Sequence, residues 1–162
     1  MVLLRVAALL VLALWVGGLA VLGFVAAPAI FSALEAHDPV NGRTIAGLVF
    51  GAVFGTFQFW SWLLGGLTIA LLLARALLGP RPRRLGWRLW LAAGMLAMSV
   101  VTSQVISPRI ERIRQDTAGA IATLPADDTR RVEFGRLHGL STGLQLVPLL
   151  GGLFLLFHEL KD

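Results

Sequence analysis

Charged residues fall in clusters along this chain, and between the clusters the sequence is almost wholly apolar. Four uncharged runs stand out: Val6–Leu34, Thr44–Ala74, Leu89–Pro108 and Leu137–Phe157. A helix rises about 1.5 Å per residue, so about 20 apolar residues cross the roughly 30 Å of bilayer hydrocarbon. All four runs reach that length. Unpaired backbone N–H and C=O groups are too costly in lipid for any exposed form other than a helix or a closed barrel. The pattern predicts an all-α protein, a four-helix transmembrane bundle running up-down-up-down. It forms a single integral membrane domain over 1–162, with spans near 6–31, 47–74, 88–108 and 135–157.

The first run has two features of a cleaved leader, Arg5 ahead of it and Val25-Ala26-Ala27, which resembles a cleavage site, within it. An h-region is only about 7–15 residues long, and this run is about twice that, so it is read as an uncleaved span.

Composition supports the same class: 57% of residues are hydrophobic, 14% charged, and 18 of the 162 are glycine. That excludes a disordered chain, a nucleic-acid module and an ordinary soluble domain. No cysteine is present, which removes disulfides, thiolate metal sites and cysteine nucleophiles. Of 14 basic residues 13 are Arg, giving a net charge of +5. In so apolar a chain they mark helix ends at a membrane surface, not a phosphate footprint.

The connections set the orientation. The short segment 75–88 carries Arg75, Arg81, Arg83, Arg84 and Arg88 without an acid; segment 109–136 carries six Arg but also five acids. The positive-inside rule places the first segment, and both termini, in the cytoplasm of a cell-membrane protein. Trp87 and Trp90 beside the basic loop read as interface anchors. Counting about 20 residues outward from Arg5, Arg75, Arg88 and His158 reaches Val25, Gly55, Pro108 and His138, which should share the outer plane. Thr44–Phe54 and Ile110–Leu124 then overhang it. Ile110, Ile113, Thr117, Ile121 and Leu124 recur at helical spacing, so the third and fourth helices are expected to extend beyond the membrane as a collar. Pro125 ends the stripe, and Asp127 or Asp128 is a candidate N-cap for the last helix.

Chemistry in such a chain lies with its glycines and its intramembrane polar groups. Gly47, Gly51 and Gly55 form a doubled small-xxx-small pattern, a ridge suited to close helix packing. His138, Ser141 and Gln145 share one face of the fourth span. Gln58 and Gln104 sit at a similar depth, with Arg109 just above. Two readings stand: interhelical hydrogen bonds, or a shallow polar pocket opening outward. In the second, Arg109 contacts a small anion, His138 hydrogen-bonds or protonates, and Gln58, Gln104, Ser141 and Gln145 form a supporting polar shell. His37 and His158 read as solvated surface residues. Met95 and Met98 read as packing, not a copper(I) site, and no metal site is assigned.

Four stretches, in order along nearly the whole chain, carry a resemblance. They are Trp15-Val-Gly-Gly followed by Ala27-Pro28-Ala-Ile-Phe31, then Ala46-Gly47-Leu-Val-Phe50, Ser107-Pro108-Arg109, and Phe134-Gly-Arg136-Leu-His138-Gly139-Leu-Ser141. In these the chain resembles the transmembrane protein 205-like group, filed as a domain of unknown function. Gln145 stands where that pattern has an Asn. The resemblance implies a small polytopic membrane protein without an established activity; its animal relatives are linked to platinum-drug resistance. A more distant likeness joins the Trp15 helix to membrane protoporphyrinogen oxidase and copper resistance protein D. Those carry a histidine about two turns before the tryptophan, and Val6 and its neighbours supply none. A non-enzymatic protein follows, with no resident cofactor and no nucleic-acid partner. It sits in the lipid bilayer and binds a small anionic ligand or a membrane protein partner at the outer end of its bundle. The alternatives are a haem-, porphyrin- or copper-handling protein, with a haem oxidoreductase as the enzymatic form, and a scaffold or accessory subunit. A homo-oligomer is compatible with each.

Overall fold

A computed structural model describes residues 2–79 and 84–161; Arg81 and Arg83 of the basic loop lie outside that range. Four helices in it are long and apolar enough to cross a membrane, at Val2–His37, Gly42–Leu78, Leu85–Asp116 and Thr129–Lys161. The all-α bundle expected from the sequence is the architecture found. Each helix is longer than the roughly 20 residues a bilayer crossing requires, so the overhang expected of Thr44–Phe54 and of the third and fourth helices extends to the first as well.

The first and third helices are interrupted by one wide turn each. α1 (Val2–Val21) passes through a π-helical turn at Leu22–Ala26 into α2 (Ala27–His37), and α4 (Leu85–Val101) passes through another at Thr102–Ile106 into α5 (Ser107–Asp116). Proline causes both. Pro28 and Pro108 have no N–H to give the carbonyl four residues back, and their rings crowd it. The turn ahead of each widens instead, with the Ala27 N–H donating to Leu22 O and the Ser107 N–H to Thr102 O, both five residues back. One residue is thereby inserted into the helical register, which turns everything beyond it by about 100°.

α3 (Gly42–Leu78) and α6 (Thr129–Lys161) run unbroken. In the half of the bundle nearest the termini the helices form a ring, α1 between α3 and α6 and α4 between the same two. The core there is Leu12, Trp15, Leu72, Ala92, Met95 and Leu155. Close approach rests on Gly65, where a Cβ would stand 2.9 Å from both Trp15 and Leu96, and on Gly152, where it would collide with Val16. Beyond the wide turns the ring divides: α2 packs on α3, with Phe31 against Phe50 at 6.5 Å, and α5 packs on α6. This distal end is a fork.

The fork is tied at its tip. α5 ends at Asp116 and not as a continuous stripe to Leu124. Ala118 and Gly119 take positive φ (48° and 79°), and a short 3₁₀ turn follows at Ile121–Thr123. The Gly119 N–H donates to Arg114 O at 2.8 Å, the left-handed helix ending that glycine favours. The Thr44 hydroxyl of α3 donates to Gly119 O at 3.1 Å. Ile113 and Ile121 are buried with Ile106 and Leu137, so these two isoleucines of the expected stripe do face inward, from two short helical pieces.

Asp128 caps α6: its Oδ1 accepts from the Arg130 N–H at 2.8 Å. Hydrogen bonds from the Arg130 side chain and backbone hold its carboxyl at about 2, below the ordinary 3.8. A carboxyl depressed in the folded state stabilises it above the ordinary value and loses that contribution as pH falls. Backbone chemical shifts of residues 129–133 are therefore expected to lose helical character between about pH 4 and pH 2 in the parent. In Asp128→Ala the loss should be present at neutral pH. Equal shifts in parent and variant at neutral pH would remove the cap.

Candidate functional site

At the terminal end of the ring, opposite charges meet inside the protein. Glu159 is fully buried and accepts from Arg75 and, at 2.6 Å, from Arg88. Arg5 donates to the backbone carbonyls of Glu159 (3.2 Å) and Leu160 (2.9 Å). All four membrane helices are thus joined at one level by three Arg and one Glu. Reading Arg75 and Arg88 only as markers of helix ends missed this, because Glu159, one residue past the fourth span's His158, was not considered as their partner. His158 beside it is half-buried, not solvated, its ring 5.1 Å from Trp87 and 4.4 Å from Phe154.

Midway up, Trp15 donates to Ser61 Oγ at 2.6 Å, Ser61 and Ser99 are 3.0 Å apart, and Ser99 donates to Gln58 Oε1 at 3.0 Å. The four lie on α1, α3 and α4 and are buried. Gln58 is therefore not part of a distal polar shell; it ends a hydrogen-bonded chain through the core.

The fork holds an open-sided cavity of about 690 Å³, lined from α1, the wide turn after it, α2, α3, α5 and α6, a size within the range of small-molecule sites. Three of the expected residues, His138, Ser141 and Gln145, line it, and so do Gly51 and Gly55. Arg109 and Gln104 do not. Both are exposed, because the wide turn at Thr102–Ile106 turns the helix so that Ser107, Ile110, Glu111 and Arg114 face the cavity. The guanidinium in the site is that of Arg114. Its spacing of seven from Ser107 on a face shared with Ile110 was the available signal.

Arg114 also corrects the glycine ridge. Among the described residues, no other helix's backbone comes within 4 Å of a Cβ built at any of its three glycines. A Cβ on Gly47 would lie 3.3 Å from Arg114 Nη2, and one on Gly51 only 2.9 Å from Nη1; beside Gly55 there is open space. The ridge is a seat for a side chain that crosses the fork from α5 to α3. Phe134 of α6 closes it from the other side, 5.8 Å from the Arg114 carbon, with His138 stacked 5.9 Å from the same ring. The nearest carboxylate is Glu111 at 3.9 Å; it is about half exposed and also accepts from Gln115. Arg114 itself is 17% exposed.

Gln145 lies deeper. Both its amide nitrogen and its amide oxygen are buried, and neither has a hydrogen-bond partner among the described residues. Such a group costs a folded protein free energy unless something occupies the space beside it. The described residues hold no group of three or more His, Asp or Glu placed to bind a metal ion.

A family model for a domain of unknown function, DUF4149, matches residues 10–118. That range includes the ridge, Arg114 and both wide turns, and stops short of α6. No curated protein and no solved structure matches the chain.

Proposed function

We propose that this chain, which belongs to the DUF4149 family, is a membrane protein that binds a small anionic ligand in its distal cavity. One observation carries the reading. A single open-sided cavity is lined by a guanidinium whose nearest carboxylate, Glu111, stands 3.9 Å away and half exposed, and, below it, by a glutamine whose amide has no partner among the described residues. A planar guanidinium matches a carboxylate or phosphate bidentately, and the glycine seat holds it in place. Gln145 supplies a donor and an acceptor to the same ligand, and Ser141 and His138 stand along the wall between. Arg84 and the two further Arg of the basic loop favour a cytoplasmic position for that loop, so the cavity faces the other side of the membrane.

Titration of the detergent-solubilised protein with decyl phosphate tests the assignment. The parent is expected to bind one equivalent. Arg114→Leu should weaken binding by tenfold or more, in line with the roughly 1.5–3 kcal/mol of a charge-assisted hydrogen bond. Gly51→Leu, which displaces the guanidinium from its seat, should do the same. Arg109→Ala should bind as the parent does. Equal binding by all three variants would leave the cavity without its anion contact.

A further inference from the structure

The height of the cavity in the membrane says what kind of anion it takes; this step rests on the binding role just proposed. Arg5, Arg75, Arg88 and Glu159 meet in one cluster, so the four helices have a common origin from which height is counted. At about 1.5 Å per residue, Leu19 and Gln145 stand about 21 Å above it, Thr142 and Gly23 about 26 Å, His138 about 31 Å and Arg114 about 39 Å. With the charged cluster at one edge of roughly 30 Å of hydrocarbon, the floor lies within the acyl layer and Arg114 within the headgroup layer. The cavity straddles the interface.

It also opens sideways. α1 and α6 touch closely at Val16 and Gly152, but above that point the fork separates them. Gly23 and Thr142, on the two edges, are exposed while lining the cavity, and nothing lies within 4 Å of where a Gly23 Cβ would be. The Thr142 hydroxyl donates to its own helix at His138 O, 3.0 Å away, which suits a threonine facing hydrocarbon. The lower wall is apolar on the first helix, with Leu19 and Leu22. A water-borne anion uses only the upper part of such a space and leaves the Gln145 amide unpaired.

We infer that the ligand is an anionic acyl lipid: a phosphate or carboxylate head on Arg114, an ester or amide linkage on Gln145, and a hydrocarbon tail leaving between Gly23 and Thr142 into the bilayer. Both amide atoms are covered in the structure; with the side chain turned into the cavity, the linkage carbonyl accepts from Gln145 Nε2, and any linkage N–H or neighbouring hydroxyl donates to Oε1. The Glu111 carboxylate at the rim disfavours a head with a second negative group on that side.

Four probes separate the parts, with native mass spectrometry and thermal shift as readouts: palmitoyl lysophosphatidic acid, hexadecyl phosphate, monopalmitoylglycerol and inorganic phosphate. The lysophosphatidic acid is expected to bind best. Hexadecyl phosphate, which lacks the ester, should bind about five- to tenfold more weakly, as one lost hydrogen bond implies. Gln145→Leu should erase that difference and Gly23→Leu should weaken both. Each variant's own melting temperature, without probe, reports that it is folded. Inorganic phosphate and monopalmitoylglycerol should not bind measurably. If inorganic phosphate binds as tightly as the lipid and is lost in Arg114→Leu, the anion site stands and the lipid assignment falls. If no probe binds in an Arg114-dependent way, both fall.

Discussion

Replacing Glu159 with Gln is expected to destabilise the detergent-solubilised protein by about 3–5 kcal/mol, the usual cost of removing one partner from a buried ion pair. Glu159 is fully buried, and its two oxygens face Arg75 and Arg88, of which Arg88 is itself 2% exposed. A neutral amide keeps the shape and removes the negative charge, so two guanidinium groups are left close together in a dry site. Removing all three charges together, as Arg75→Met, Arg88→Leu and Glu159→Leu, should cost much less than the single change, because no uncompensated charge remains. Unfolding by heat and by SDS measures both. A Glu159→Gln protein that unfolds with the parent would show that the charge does not hold the helices together.

A comparable loss is expected at Trp15, also fully buried. Trp15→Ala should cost about 3–5 kcal/mol through the cavity it leaves among Leu12, Leu72 and Met95. Trp15→Phe should cost less, since most of the volume stays and only the bond to Ser61 is lost. Ser61→Ala is the informative partner: it strands the indole N–H, at about 1–3 kcal/mol. The double variant Trp15→Phe, Ser61→Ala should then be less unstable than the sum of the two. Strict additivity in that cycle would mean the 2.6 Å contact contributes nothing.

The hydrophobic runs were sufficient to place four helices, because length and apolarity alone decide what can cross a bilayer. Three of the residues from which the helices were levelled, Arg5, Arg75 and Arg88, converge on Glu159, but Gln58, which the same count set beside the distal polar groups, lies in the core. Prediction failed wherever a helix departs from 3.6 residues per turn. Arg109 and Arg114 are both on the third helix beyond Pro108, and only the register shift at Thr102–Ile106 decides which of them enters the fork. Pro108 was visible in the sequence; the widening it imposes was not. The ridge Gly47-Gly51-Gly55 failed for a different reason. Small residues reveal that something comes close but not whether it is a backbone or a guanidinium.

Pinning at one end and spreading at the other gives this protein the mechanics of a pair of tongs. A rotation of about 5° at the cluster of Arg and Glu, carried along some 35 Å of rigid helix, displaces the tips by about 3 Å. Interior packing near the pivot hardly changes in such a movement. Resistance to it comes instead from the two ties across the gap, the Arg114 side chain in its glycine seat and the Thr44–Gly119 hydrogen bond. Whatever fills the space between the jaws therefore also sets how far apart they stand.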